Sequence, residues 1–247
     1  MKRVFKIIGI VLGSLVALVG LLAAFFYQRT SSRMEQRFDI EPVLTSVGVD
    51  SATIARGEHV MEIQACQQCH GENLGGTVLM DMPLWRMTAA NLTSGKGGVG
   101  RTYTVADWDR VIRSGVAPDG HAVMIMPGEM YQNLSDEDAA ALIAYLQQID
   151  PVDSELPATE LRFLGGLMLG AGDFDPADIV HEPGSARKMT PAHEPTEELG
   201  EYLASTSCIG CHGDDLMGME SESPKCPAGP PLTDSSLREC SGERSSL

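Results

Sequence analysis

An all-α chain that begins with a membrane-spanning helix is what the sequence predicts, on three observations. Residues Ile7 to Tyr27 form an unbroken apolar run. Later stretches place apolar side chains at helical spacing behind capping residues such as Ser135. One five-residue motif occurs twice, at 66–70 and 208–212, each time at the end of a helical pattern that carries a glycine, so the body reads as two like units. With 247 residues, 43% of them apolar and 21% charged, the chain is neither a disordered tail nor a collagen-like repeat, and it has room for one large domain or two small ones. Its net charge of -16 would repel a phosphate backbone, which excludes nucleic acid as a partner. Residues 1–50 carry six basic and four acidic side chains, leaving twelve basic and thirty acidic for the remainder.

Residues 1–29 are expected to be a transmembrane anchor. The 21 residues from Ile7 to Tyr27 contain Ser14 as their one clearly polar side chain, and about 20 helical residues cross a hydrocarbon core. The competing reading is a cleaved secretory signal, whose apolar stretch is usually about 7–15 residues and ends in a small-x-small site. Here Ala23 and Ala24 run into Phe25, Phe26 and Tyr27 instead. Lys2, Arg3 and Lys6 on one flank face Arg29, Arg33 and Arg37 on the other, so flanking charge does not set the orientation. Residues 30–51 follow as a juxtamembrane linker.

The first unit is placed at 52–150. Ala52 to Ala65 reads as a helix with Ile54, Val60 and Met61 on one apolar face, Gly57 along it and Cys66 at its end. Thr104 opens a second helix with Trp108, Val111 and Ile112 as its apolar face and Gly115 as its stop. Ser135 followed by Asp136, Glu137 and Asp138 opens a third, carrying Leu142, Tyr145, Leu146 and Ile149. Long loops join them. Six prolines mark 151–195 as a connector, inside which the largely apolar run Leu161 to Ala171 is too short to span a bilayer and reads as a buried or interfacial helix. Residues 196–247 then restart the pattern: Thr196 opens a helix with Leu199, Tyr202 and Leu203, Gly200 precedes Cys208 much as Gly57 precedes Cys66, and Cys208 lies at the end.

The repeated motif carries the chemistry. Cys66-Gln67-Gln68-Cys69-His70 and Cys208-Ile209-Gly210-Cys211-His212 both read C-x-x-C-H, the attachment site of a c-type haem. Cysteines three apart on a helical turn project from one side, where each thiol can add to a vinyl group of one porphyrin. The adjacent His70 and His212 then reach the iron. A four-cysteine zinc site, a thioredoxin-like redox pair and structural disulfides are the alternatives. Haem attachment of this kind takes place outside the cytoplasm, which puts the body in the periplasm and the amino terminus inside, as a single-pass protein of a bacterial inner membrane.

With these motifs and helices the first unit resembles a class I cytochrome c. The whole body resembles the membrane-associated multihaem cytochromes that include cytochrome c subunits of periplasmic alcohol-type dehydrogenases. The resemblance implies that the terminal helices of the first unit cross, with Gly57 making room for Tyr145. It implies two haem c groups with their iron, held by Cys66, Cys69, Cys208 and Cys211. For the sixth ligand it points to Met126, since Met126-Pro127 precedes the last helix as a Met-Pro does in similar cytochromes; Met130 and, as a bis-histidine variant, His121 are the alternatives. Asn91-Leu92-Thr93 matches both a glycosylation acceptor and the family's loop after the motif, and the loop is preferred.

The second unit is incomplete. Cys66 to Ile149 takes 84 residues, whereas Cys208 to Leu247 offers 40 and no apolar-periodic terminal helix. Met217 and Met219 stand five and seven residues past His212, a reach of at most about 17–25 Å, and neither is a convincing ligand. Pro230-Pro231-Leu232-Thr233 resembles the family's loop, while 234–247 matches nothing in it. Cys226 and Cys240 are spaced to form a disulfide, or stem from an altered reading frame. The expectation is a truncated or frame-shifted second domain. The function expected is electron transfer rather than catalysis, between a periplasmic dehydrogenase or other redox donor and a respiratory acceptor. The alternative is a haem peroxidase or gas or redox sensor that uses an open second iron.

Overall fold

The computed structural model describes residues 2–126, 128–172, 175–182, 190–191, 194–213, 215–218 and 232. Helix α1 (Lys2–Met34) has the length expected of the apolar run and then continues past it for seven residues. Its apolar side chains are exposed from Val4 to Phe25, and Thr30 is its one described buried residue. The next sixteen residues are not a slack linker. Phe38 N donates to Gly120 O, and the amides of Val43 and Leu44 donate to Asp109 Oδ2 at 2.7 and 3.0 Å. They form a strap along the body.

Helix α2 (Ser51–Ile63) starts where Asp50 accepts hydrogen bonds from the amides of Ala52 and Thr53. The sequence predicted that it would run to Ala65. Instead Ala65 is left-handed, with φ 53°, and the motif occupies a separate turn, α3 (Cys66–His70). The long loop expected after it contains a small antiparallel sheet, so the chain is helix-rich but not purely α. Strands β1 (Thr77–Asp81) and β2 (Trp85–Ala89) form a hairpin, and β3 (Glu160–Leu161) from the connector adds to β2. Arg86, on β2, pairs with Asp81 and Glu160 on the flanking strands. β-Branched and aromatic side chains suit such a half-exposed pleated surface.

Helix α4 (Val105–Ser114) is closed by a capping box between Thr104 and Asp107 and by left-handed Gly115, as the sequence predicts. A single short turn, α5 (Gly128–Tyr131), precedes α6 (Asp136–Leu146), capped by Ser135 Oγ. Helices α2 and α6 cross at Gly57, where an added methyl group would overlap the Ala141 carbonyl and come within 2.7 Å of Tyr145 Cβ. That close approach is the Gly57–Tyr145 packing implied by resemblance. Around it Met61, Trp108, Ile112, Leu142, Ile143 and Leu146 make one apolar core.

Below the core lies a buried ion pair. Arg113 and Asp109 are fully buried and 2.7 Å apart, Arg113 also meets Asp136 at 2.6 Å, and the free oxygen of Asp109 holds the strap. In the connector, α7 (Phe163–Ala171) packs on α1, with Gly170 against the Phe26 carbonyl. The last described elements are α8 (Glu197–Leu203), a π-turn over Ala204–Cys208, and α9 (Ile209–His212).

Two substitutions test this packing by denaturant unfolding of the full chain. Asp109→Ala leaves the buried Arg113 with Asp136 as its remaining carboxylate and frees the strap, with an expected loss of about 3 kcal/mol. Gly57→Ala should cost about 1–3 kcal/mol by forcing α2 off α6.

Candidate functional site

The left-handed residue Ala65 turns α3 out of the line of α2, and α3 presents Cys66, Cys69 and His70 together. Cys66 is half-buried and Cys69 exposed. Burial pushes the Cys66 thiol up to about 11, so it stays protonated at neutral pH. The imidazole of His70 is fixed: its Nδ1 lies 2.7 Å from the carbonyl of Ala90, on the loop that leaves β2. Burial lowers its pKa and holds it neutral. A neutral ring that gives Nδ1–H to a carbonyl keeps Nε2 as a lone-pair donor, the arrangement typical of a metal-bound histidine.

The Ala90 loop is itself pinned. Asn91 is buried; its Oδ1 accepts from the amide and hydroxyl of Thr93, and its Nδ2 donates to Val152 O at 2.7 Å. A buried, fully used amide is a loop brace rather than a glycosylation acceptor. Tyr131 closes the same region by donating to Gln64 O at 3.2 Å, and burial, helped by the nearby thiols, raises its pKa.

The methionines separate by environment. Met80 accepts a bond from Trp85 Nε1 at 3.0 Å on the sheet, and Met82 sits in the hairpin turn. Met130 packs its sulfur on Gly210 of the second motif. Met126 lies partly buried against the core; the Pro127 that accompanies it falls outside the described residues. His121 is engaged by Asp119, with Nδ1 and Oδ2 2.9 Å apart on an exposed turn. One residue that sequence reasoning took only as packing stands out: Trp108 is 2% exposed, and its Nε1 has no hydrogen-bond partner among the described residues. An orphaned indole N–H is a donor in want of an acceptor, and its lack of a partner is what the sequence could not show.

The second motif is entered from a π-turn rather than from a left-handed residue, but the turn that follows it copies the one after the first. His70 O accepts from Gly76 N and His212 O from Gly218 N, both at 2.8 Å. Leu74 and Leu216 share φ 57°, and Gly71 and Gly213 have φ 82° and 79°. Leu92 N donates to Leu74 O as Leu232 N donates to Leu216 O. The copies also touch. Gln64, two residues before Cys66, donates to the hydroxyl of Ser207, the residue before Cys208. Asn133 Nδ2 donates to Ser205 O at 3.0 Å, and the buried Tyr202 hydroxyl donates to Asp138 at 2.6 Å. Met217 is exposed, whereas Met219, Cys226, Cys240 and 234–247 lie outside the described residues.

These features discriminate among the chemistries that C-x-x-C-H allows. Among the described residues no three or more His, Cys, Asp or Glu side chains gather as a metal-binding cluster, so the two cysteine pairs do not build one zinc site, and the four motif cysteines are free thiols. Two thiols, a braced neutral imidazole and a buried unpaired indole N–H fit a covalently held haem. Comparison with known proteins agrees: residues 54–150 match the family described as cytochrome c. They are a cytochrome c domain. The family holds haem c and its iron covalently.

The chain is also similar to a nicotinate dehydrogenase subunit of Pseudomonas putida, 30% identical over 206 residues, covering 74% of this chain and 16% of that protein. With the fructose dehydrogenase cytochrome subunit of Gluconobacter japonicus it shares 28% identity over 178 residues, 68% of this chain and 36% of the relative. With the cytochrome c subunit of the quinone-dependent alcohol dehydrogenase of Gluconacetobacter polyoxogenes it shares 26% over 197 residues, 73% and 40%. The chain therefore spans less than half the length of these curated relatives.

Asn91→Ala should remove the brace of the Ala90 loop, leaving the buried Thr93 amide without its acceptor and the Val152 carbonyl with the Thr93 hydroxyl alone. The expected cost is about 1–3 kcal/mol in urea unfolding; an unchanged midpoint would mean that the loop holds itself.

Proposed function

We propose that this chain is a membrane-anchored periplasmic cytochrome that carries single electrons from a dehydrogenase or quinol donor to a respiratory acceptor and performs no substrate chemistry. The observation that carries this reading is the His70 imidazole, braced by Ala90 O immediately after two cysteines on one helical turn. Haem iron held there would supply a one-electron redox couple whose potential the axial ligands set. Cys66 and Cys69 would hold the porphyrin through thioethers, His70 would bind its iron, and Met126 is the further ligand we assign. Trp108 offers its N–H to a polar edge of the buried group. Cys208, Cys211 and His212 form the second attachment site, a reading supported by the matching turns that follow the two motifs.

Helix α1 spans a bacterial inner membrane once and leaves the body outside. Its window of mean hydropathy 2.7 and its exposed apolar surface support this. That the partner is a dehydrogenase is supported by the names of the three relatives, each a dehydrogenase subunit.

Expression with a haem-attachment system, followed by pyridine haemochrome absorbance against peptide mass, should count two haems per chain. Cys208→Ala with Cys211→Ala should leave one. No covalent haem on the unmodified chain would overturn the reading, and a single haem would overturn the second site. In redox potentiometry, Met126→His should lower the potential of the first haem, because thioether ligation raises it, while Met130→Leu should leave it in place. An unmoved potential in the Met126 variant would place the sixth ligand elsewhere.

A further inference from the structure

The anchor is not the only apolar surface at the membrane end of the molecule. From Ile7 to Tyr27 the helix rises about 31 Å, close to the roughly 30 Å of a hydrocarbon core. Tyr27 therefore sits at the outer boundary, with Arg29 just above it. At this level, and along the C-terminal end of α1, α7 is docked. The rings of Tyr27 and Phe163 are 5.5 Å apart, Thr30 Oγ1 donates to Gly166 O at 2.6 Å, and Arg29 donates to Gly170 O at 2.8 Å.

The docking uses one side of α7. An added methyl group on Gly165 would overlap the Leu84 carbonyl of the β1–β2 hairpin, and one on Gly170 the Phe26 carbonyl. Gly166 faces the Tyr27 ring. Small residues let the backbones meet, so the three glycines make the protein-facing stripe. Phe163, Leu164 and Met168 are 58%, 53% and 58% exposed. At about 100° per residue Leu164 and Met168 stand roughly 40° apart on the face away from Gly166 and Gly170, with Phe163 at the edge of that face beside Tyr27. Three large apolar side chains on one face of a nine-residue helix are costly to leave in water.

We propose that α7 is a second membrane contact, a helix lying in the outer leaflet's interface with Phe163, Leu164 and Met168 among the acyl chains. Lipid is the occupant because the exposed face continues the exposed apolar surface of α1, at the depth where Tyr27 and Arg29 mark the boundary. This rests on the reading of α1 as a span. A lone anchor fixes a protein's height but leaves it free to rotate and tilt. The second contact fixes tilt as well, because α7 is joined to the cytochrome domain through the hairpin: Arg162 pairs with Asp81 at 2.6 Å, and its amide donates to Leu84 O.

The test places a photoreactive benzophenone side chain, one position at a time, at Val16, Leu164, Met168 or Lys96 in the full chain. The protein is reconstituted into phosphatidylethanolamine and phosphatidylglycerol vesicles, illuminated and weighed by mass spectrometry. All four positions are exposed, so the fold is not disturbed. A mass increase of one phospholipid is expected at positions 16, 164 and 168 and not at 96. Lipid adducts at 16 alone overturn the α7 contact and keep the anchor, whether 164 and 168 then give no adduct, as a solvent-facing helix would, or a cross-link to a second copy. Lipid adducts at 164 and 168 without one at 16 keep the α7 contact and remove the span. None at any position overturns both.

Discussion

One imidazole sets the demands that the first domain meets. A histidine that follows two cysteines on a helical turn can serve an iron only if its ring is held in one tautomer and one orientation. The group that holds it is a backbone carbonyl 20 residues further on. The intervening chain must therefore leave the motif, run out and return. It does so as a hairpin, and its end is pinned by the buried Asn91 side chain to Thr93 and to Val152 of the connector. The loop, the hairpin and the start of the connector are thus one device for aiming one nitrogen.

Behind that device the helices supply stiffness. The α2–α6 crossing is tight because Gly57 has no side chain, and it fixes the angle at which α2 delivers the motif. Asp109 joins α4 to the strap and, through Arg113, to Asp136 at the head of α6. The second motif then leans on the first through Gln64, Asn133 and Asp138. The turns around the second motif therefore pack on those of the first.

Much of this was legible in the sequence where the cause is local. The Thr104 and Ser135 caps and the Gly115 stop are short-range chemistry, and helices begin and end there as the spacing says. The motif residues were found by pattern alone, and the Gly57–Tyr145 contact by resemblance. What escaped has causes far away in the chain. Residues 77–81 and 85–89 form strands because they pair with each other across a hairpin, and β3 arrives from residue 160. Ala65 takes a left-handed backbone without a glycine to announce it. The Tyr202 hydroxyl finds its acceptor 64 residues earlier, which no periodicity encodes.

The strap has one more consequence. A flexible leash of sixteen residues would let the domain swing through a broad hemisphere, sampling many orientations and reaching partners well above the lipid. Bound instead along the body through Asp109 and Gly120, the same residues act as a bracket. With α1 in a bilayer, as proposed, a bracketed domain would search by sliding in two dimensions, so its encounters would depend on how crowded the bilayer is with partners of matching height rather than on how far the domain can stretch.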